Sequence, residues 1–401
     1  MKKISSSFGR GRAVSAFLLS AALAGLTRGA VPIGDTNVQL GGFFSQGWLY
    51  NSDNNYPAKD NGGTFDFREM GINVSTTLGS HARVGAQVFA QRLGALGEDK
   101  VILDWAQLDY NFNPLFGVRV GRVKYPKGLY GEALDLDVVR PFVFLPNAVY
   151  SPVLRDFSAS FDGAMIYGSW NVAKGSIDYK LFYGKIPVNP QKGVSEFYND
   201  SGGLYAAPGV ASINIKSVTG GQLTWNTPVS GLRFVYSYSY FTNLASDGPF
   251  AQYPVVNLHF NFPRLSYNTA SAEYQWKSWV FAAEYQTTGG DYDFQIPIAP
   301  ASKGKYGTEA WYVSASRRLN DKFEVGAYYG DLKDRYSSNG YHSYQHDLAA
   351  SLRYDLSEHV LFKIEAHRID GTYQLFDTVR TSNPSPKESS TLFAVKTTLS
   401  F

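Results

Sequence analysis

The chain has 401 residues and a formal net charge of +3, from 37 Lys and Arg against 34 Asp and Glu, so its overall charge does not argue for a nucleic-acid partner. It contains no cysteine, so disulfides, thiolate zinc sites and cysteine nucleophiles are excluded. Aromatic residues make up 15% of the chain although mean hydropathy is only −0.22, and no apolar run after residue 30 is long enough for a membrane helix.

The N-terminus has the pattern of a secretory signal peptide. An apolar stretch, Ala13 to Leu26, is followed by small residues and is preceded by the basic residues Lys2, Lys3, Arg10 and Arg12. We expect residues 1–30 to be the signal, cleaved after Ala24 or Ala30, and residues 31–401 to form one domain. Removing residues 1–24 takes away four basic and no acidic residues, so the net charge becomes about −1.

The rest of the chain alternates between strand-like segments and turn residues. Early strands are predicted over 36–50, 65–78, 84–91, 101–112 and 118–124, and later ones over 164–170, 177–183, 223–225, 232–240, 270–276, 279–285, 311–317, 323–329, 348–354 and 360–366. Short turns alternate with long loops between these segments. The chain ends on a strand in which Phe393, Val395, Leu399 and Phe401 share one face and Ala394, Lys396, Thr398 and Ser400 the other.

This pattern predicts an all-β fold, a transmembrane antiparallel β-barrel of about sixteen strands. Backbone polar groups in hydrocarbon have no water to bond, so strands can span a membrane only as a closed barrel. A barrel of about this size encloses an aqueous lumen, and its inward rows should be polar. The expected inward residues are Arg83, Gln87, Asp178, Lys180, Arg233, Glu284, Gln286, Glu324, Arg353, Lys363 and Glu365.

The longest connection, Tyr125 to Phe157, is too apolar for an exposed loop. It contains Val138, Val139 and the run Phe142 to Leu145, and its prolines prevent a regular ladder. We expect this third loop to fold into the barrel and to carry a pore constriction made by Glu132, Asp135, Asp137, Arg140, Arg155 and Asp156. The pore-wall candidates are Arg68, Arg83, Arg119, Arg122, Lys124, Arg233 and Arg353, although the sequence leaves the inward parity of the fifth strand ambiguous.

Two alternatives for this loop stay open. It could instead cap the barrel or contact another subunit. Asp135 and Arg140 could also simply pair with each other and hold the shape of the loop.

The signal, the strand pattern, the third-loop insertion and the terminal Phe401 together resemble the bacterial outer-membrane porins. The sequence G-R-V-K-Y-P-K-G-L-Y, from Gly121 to Tyr130, is similar to porin-like proteins of the phosphate-selective superfamily. The resemblance implies a channel in the outer membrane for passive diffusion of small hydrophilic solutes, often a homo-trimer, with no cofactor. Phosphate preference does not follow, because the basic ladder on which the phosphate-selecting members rely has no equivalent here.

A substrate-specific porin, selective for anions, phosphate or sugars, is the main alternative. Phe182, Phe241 and Tyr328 could form an aromatic path for sugars, or could pack against the loop. A soluble exported β-sandwich is a further alternative that extraction without detergent would reveal.

An enzyme is not favoured. Ser338 to His342 superficially resembles the catalytic set of an outer-membrane phospholipase, but the residue order is wrong and Ser-Asn-Gly is ordinary turn chemistry. His342 and His346 are four apart on a strand rather than a helix, so we expect no metal site there.

Overall fold

The computed structural model describes residues 31–32, 36–94, 96–188, 205, 209–375 and 385–401. This part of the chain forms one sheet of seventeen strands, of which the first, β1 (Val31–Pro32), is a two-residue strand paired with the start of β2. The others are β2 (Gln39–Asn51), β3 (Phe67–Leu78), β4 (Ala82–Leu93), β5 (Ile102–Asn113), β6 (Phe116–Lys124), β7 (Ser160–Val172), β8 (Gly175–Lys185), β9 (Ser212–Asn226), β10 (Leu232–Phe250), β11 (Tyr253–Trp276), β12 (Trp279–Gln295), β13 (Ser302–Arg318), β14 (Phe323–Asp334), β15 (Tyr344–Asp355), β16 (Val360–Gly371) and β17 (Ser389–Ser400). The predicted signal peptide, residues 1–30, lies outside the described residues.

Strands β2 to β17 close into a barrel. Each is antiparallel to the next along the chain, and β17 pairs with β2 in a register that runs from Leu392 opposite Asn51 to Ser400 opposite Phe43. Closure leaves no strand edge unpaired. The predicted fold, an antiparallel barrel of about sixteen strands, is confirmed. Among the described residues, no helix is long and apolar enough to cross a membrane.

The two ends of the barrel differ. Short turns join β3 to β4, β5 to β6 and every later pair of this series up to β15 and β16, so we call this end the turn end. The start of β2 and the end of β17 lie there too. The opposite end, the loop end, carries the long connections, including those after β2, β6 and β16. Short and long connections alternate as the sequence pattern predicts, except between β10 and β11 and between β12 and β13.

Strands β10 to β13 are much longer than the sequence pattern predicts. Strand β11 has 24 residues, whereas the alternation of apolar and polar residues in the sequence predicts a strand only over 270–276. Alternation fails in the rest of β11 because its inward row is apolar as well, with Leu258, Phe262 and Leu265 at most 6% exposed. Two expected long loops are therefore hairpins: only Ala251 and Gln252 separate β10 from β11, and residues 296–301 separate β12 from β13.

The two faces of the last two strands follow the predicted parity. On β17, Phe393, Val395 and Leu399 are about 40–50% exposed on the outside, whereas Ala394, Lys396 and Thr398 are almost wholly buried on the inside. The same contrast between an apolar outer row and a polar inner row recurs on β16, where Ile364 faces outward and Glu365 inward. On these two strands the outer face carries the apolar row and the inner face the polar row, whereas β10 and β11 also carry buried apolar residues on the inside, including Phe241, Leu244 and Leu258.

Candidate functional site: the lumen and its third loop

The third loop, residues 125–159, lies inside the ring of strands. It touches the inward rows of β5, β10, β12, β16 and β17, which stand on different sides of the barrel, and a single segment can reach all of them only from within. The contacted wall residues Ser237, Glu284 and Lys363 lie only three to five residues from the turn end of their strands. At about 3.3 Å per residue, the loop descends to roughly 10–17 Å from that end.

Short 3-10 turns shape the loop between its anchors. They cover Gly131–Ala133, Asp137–Val139 and Pro152–Phe157. The prolines at positions 141, 146 and 152 donate no backbone hydrogen bond, which is why no strand forms here. The loop is therefore held by side chains of the wall rather than by a backbone ladder.

The first anchor is a cluster of four charges at the loop end of β5 and β6. Arg155 Nη2 donates to Asp104 Oδ1 and to Asp135 Oδ1, both at 2.7 Å. Lys124 Nζ lies 2.6 Å from Asp104 and 2.5 Å from Asp135. The guanidinium of Arg155 also stacks over the ring of Phe89, 4.1 Å from its centroid. Burial alone would raise the pKa of Asp135, but Arg155 and Lys124 hold that pKa well below its usual range.

The second anchor joins the loop to β6 and β8. Glu132 accepts a hydrogen bond from Arg119 Nη1 at 3.1 Å and one from Lys180 Nζ. Arg119 in turn donates to Asp109 Oδ2 at 2.7 Å. Burial alone would raise the pKa of Glu132, but Lys180 and Arg119 lower it. This cluster lies closer to the turn end than the first.

The third anchor is the most deeply buried. Asp137 Oδ1 accepts hydrogen bonds from Lys363 Nζ at 2.9 Å and Lys396 Nζ at 3.3 Å, and Oδ2 accepts one from Thr398 at 2.7 Å. Lys396 also reaches Glu69 Oε2 at 2.6 Å. The exposed fraction of both lysines and of the Asp137 side chain is at most 1%. Burial opposes ionisation of Asp137, but Lys363, Lys396 and Arg140 keep its pKa well below the usual range.

Two wall carboxylates bind the loop through hydrogen bonds to its backbone N–H groups and to a tyrosine hydroxyl. Glu365 accepts the backbone N–H groups of Val143 at 2.8 Å and Phe144 at 3.1 Å. Glu284 accepts hydrogen bonds from the hydroxyls of Tyr150 at 2.6 Å and Tyr312 at 2.7 Å, and also one from the N–H of Leu129. These carboxylates satisfy backbone donors that the irregular loop would otherwise bury unpaired.

Among the predicted constriction residues, Arg140 and Asp156 differ from the other four. Arg140 stays within the loop, donating to the carbonyl of Leu134 at 3.1 Å and lying 3.7 Å from Asp137. It does not pair with Asp135, so the alternative of an Asp135–Arg140 pair is wrong. Asp156 lines a crevice of about 410 Å³ between the loop and the second external connection.

The pore-wall candidates fall on both faces. Arg83, Arg119, Arg233 and Arg353 belong to inward rows, and Lys124, at the end of β6, turns inward to the first anchor. Arg353 donates to the carbonyl of Val138 at 2.6 Å and so holds the loop directly.

Arg68 and Arg122 were predicted to line the pore wall, but this prediction is wrong because both lie on outward rows. Arg122 is adjacent to Val120 on that row and pairs with Asp162 at 2.6 Å, and Arg68 shares its row with Met70 and pairs with Asp99. Their long side chains pair with acidic neighbours near the loop end instead of lining the lumen.

The aromatic residues proposed as a sugar path pack against the loop. Phe182 contacts the ring of Tyr125, Phe241 that of Phe157, and Tyr328 that of Phe142, with ring centroids 5.1–5.9 Å apart. All three wall residues are at most 4% exposed. These three residues therefore pack against the third loop, which is the alternative to an aromatic path for sugars.

Sequence reasoning missed Asp104 as a site residue. A register shift between Gln87 and Val88 of β4 leaves Asp104 unpaired in β5, so that it and Trp105 both turn inward. Strict alternation predicts only one of two consecutive residues inside. The adjacent Asp-Trp pair, which breaks the alternation of β5, was the available signal.

In the described part of the chain, no group of three or more His, Asp or Glu is arranged to hold a metal ion. His342 contacts Thr372 and His346 pairs with Asp331, so the two histidines have different partners.

Comparison with known proteins gives matches of fold only. No protein-family model matches the chain, and no curated protein matches it. Salmonella typhi OmpF in complex with daunomycin matches with a TM-score of 0.58 and 12% identity, covering 93% of this chain and 100% of that one. OmpT of Vibrio cholerae matches with a TM-score of 0.56 and 11% identity, covering 92% and 99%.

An anion-selective porin from Comamonas acidovorans matches with a TM-score of 0.52 and 12% identity, covering 91% of this chain and 99% of that one. A further structure of the Vibrio protein is of its trimer form. The chain therefore has the fold of the outer-membrane porins over nearly its whole length.

Proposed function

We propose that this protein is an outer-membrane porin, a water-filled channel for passive diffusion of small hydrophilic solutes and ions. The observation that carries the proposal is the combination of a closed barrel with apolar outer rows and charged inner rows. An exported soluble protein would bury those outer rows. In a bilayer they contact hydrocarbon, and the barrel satisfies every strand's backbone internally.

Aromatic residues on the outer surface support a membrane location. Trp170, Trp225, Phe234, Tyr236 and Trp276 are 41–49% exposed and lie near the turn end of their strands. Such a band is what the boundary between hydrocarbon and headgroups favours. With the turn end on the periplasmic side, the long loops face the exterior, and residues 1–30 would be the export signal.

We propose that the third loop narrows the lumen and that its charged residues set the local field. Glu132, Asp135 and Asp137 are each neutralised by wall cations. Among the residues that the structure describes, no unpaired run of basic residues stands opposite the acidic loop, so we expect weak ion selectivity rather than a phosphate or anion filter. The neighbour described as anion-selective shares the fold but only 12% of its sequence.

A homo-trimer is part of this proposal. The outer rows of β4 and β5 include the small side chains of Ala86 and Ala106. Near them Arg68 and Arg92 share Asp66 and Asp99 on the outer face. Small residues and paired charges suit contact with a second subunit better than contact with lipid tails.

Planar-bilayer recording of the purified protein tests the function. We expect stepwise conductance in KCl and a reversal potential near zero in a salt gradient. Arg83→Gln, on an inward row, should shift the reversal potential, whereas the matched variant Arg122→Gln, on an outward row, should not. A purified, folded protein that never conducts would contradict the porin proposal, and a Kd for one sugar or anion would favour the substrate-specific alternative.

A further inference from the structure

The first external loop, residues 52–66, also folds into the mouth of the barrel. Asn54, Asn55, Tyr56, Ala58 and Asp60 are at most 5% exposed, although the sequence of this loop is polar and rich in Asn and Gly. An exposed loop of this composition would leave those side chains in water. Other segments at the loop end of the barrel therefore cover these side chains.

The cover is made by the third loop and by the eighth loop, which connects β16 to β17, and Tyr56 lies at its centre. Tyr56 Oη donates to Gln374 Oε1 at 2.7 Å and accepts from Asn147 Nδ2 at 3.1 Å. Gln374 Nε2 closes the triangle by donating to the carbonyl of Asn147 at 2.8 Å. Asn147 belongs to the third loop, and Gln374 follows β16. We call these three residues the Tyr56 latch.

A second contact joins the first and eighth loops directly. Asn54 Nδ2 donates to the carbonyl of Lys387 at 2.8 Å, and the N–H of Lys387 donates to Asn54 Oδ1 at 2.9 Å. Apolar contacts complete the cover, since Tyr56 and Ala58 belong to one buried cluster with Val143, Phe144 and Leu375. The first loop is thus a layer over the third loop at the mouth of the lumen.

The contacts of the two loops differ in kind. The third loop is tied to the wall by buried ion pairs of Asp135, Asp137 and Glu132. Separating such a pair leaves a charge without a partner in a dry interior, which is far costlier than exchanging a neutral hydrogen bond for water. Around Asn54 and Tyr56 the first loop is held by neutral hydrogen bonds and apolar contacts, and its ion pairs, those of Asp66, lie at its base next to β3. The first loop is therefore the part of this cover that costs less free energy to separate.

We propose that the first loop is a movable gate, closed by the Tyr56 latch, above a third loop that stays fixed to the wall. This inference rests on the proposed channel function. In the closed form the first loop blocks the mouth beside β2, β3 and β17. In the open form the latch is broken and water and solutes reach the third loop, whose anchors remain intact.

Cysteine locks test the gate, and the chain offers a clean background because it has no native cysteine. A Cβ built on Gly94, at the end of β4, would lie 3.1 Å from Ala58 Cβ, slightly under the usual span of a disulfide, so a small shift lets Ala58→Cys and Gly94→Cys join. A Cβ on Gly330 of β14 would lie 3.4 Å from Ala148 Cβ. Ala148→Cys with Gly330→Cys therefore fixes the third loop as a matched control.

We expect oxidation of the Ala58/Gly94 pair to hold the channel closed and reductant to restore its openings. Oxidation of the Ala148/Gly330 pair should leave openings unchanged. Gly94→Cys alone controls for the cost of a side chain at φ +60°. The gate is wrong if locking the first loop changes nothing, or if only the third-loop lock closes the channel. A wild-type protein that never conducts overturns the channel function itself.

A second variant removes the latch without a crosslink. Tyr56→Phe keeps the ring and its apolar contacts but loses both hydroxyl hydrogen bonds, so we expect the open-to-closed ratio in single-channel records to rise about tenfold. Tyr285→Phe, on the outer face of β12, is the matched control and should behave as wild type. An unchanged ratio in a folded Tyr56→Phe barrel would overturn the latch.

Discussion

The first and third loops both enter the lumen, yet they are held in opposite ways. The third loop pairs its carboxylates with lysines and arginines of the wall, and those pairs are almost wholly buried. The first loop has one buried carboxylate, Asp60, whose Oδ1 accepts the N–H of Tyr56 at 2.7 Å while Oδ2 has no hydrogen-bond partner. Paired charges in the lumen therefore stabilise the third loop, whereas the buried and incompletely hydrogen-bonded carboxyl of Asp60 weakens the packing of the first loop.

The largest effect should come from the centre of the third anchor. Asp137→Ala leaves Lys363 and Lys396 buried with only Glu69 as an acidic partner, and we expect the free energy of unfolding to fall by about 3–5 kcal/mol. Urea unfolding followed by tryptophan fluorescence measures this. Glu358→Ala, at an exposed site, is the control and should change stability by less than about 0.5 kcal/mol. A loss no larger than the control's would show that the anchor is not stabilising.

The next effect concerns Arg155, which faces both Asp104 and Asp135. Arg155→Met removes one cation and leaves Lys124 to balance two carboxylates, so we expect a loss of about 2–4 kcal/mol together with a shift of the reversal potential toward cation selectivity. Arg140→Met, which contacts mainly carbonyls of its own loop, should cost less. Equal losses in the two variants would contradict the assignment of Arg155 as the wall anchor.

The pH dependence of channel opening should distinguish the contribution of the first loop from that of the third loop. Burial raises the pKa of Asp60 from 3.8 to about 8, so the closed loop binds a proton that the open loop releases. The stability of the closed form is therefore full below pH 3.8 and falls as pH rises toward about 8, by at most tenfold in the closed-to-open ratio per pH unit. Tyr56, the ionisable neighbour, stays protonated because burial raises its pKa as well.

Asp60→Asn should make this ratio flat between pH 5 and 8, because an amide does not titrate. The third loop provides the internal comparison, since the pKa values of Asp135 and Asp137 are lowered and their contribution is lost only as pH falls below the ordinary range. Single-channel recording between pH 5 and 8 measures how the closed-to-open ratio changes with pH. A slope that persists in Asp60→Asn would exclude Asp60 as its source.

The smallest effect is expected at the contact between the first and eighth loops. Asn54→Ala removes two hydrogen bonds to the backbone of Lys387 and should weaken closure by about 1–2 kcal/mol. Limited proteolysis of the first loop at Lys59 measures its opening. Asn320→Ala, in a turn at the other end, should leave that cleavage rate unchanged, and a rate unaltered by Asn54→Ala would count against this contact.

The sequence by itself determined the approximate number of strands, the inner and outer faces of most of them and the closure of the barrel. Alternation is a local property, and it indicated that Phe393 faces outward and Lys396 inward without reference to any other strand. It also marked the apolar third loop as a segment that needs a surface to pack against. These features follow from residues close together in the chain.

Tertiary structure alone decided which charges meet. Asp137 and Lys363 are 226 positions apart, and Tyr56 and Gln374 are 318 apart, so no local pattern pairs them. The bulge that turns Asp104 inward arises in the pairing of β4 with β5, and the apolar inner residues of β11 belong to a cluster that also contains Tyr125 and Phe157 of the third loop. Alternation reports which side of a strand a residue occupies, but the filling of the lumen depends on the chain that folds into it.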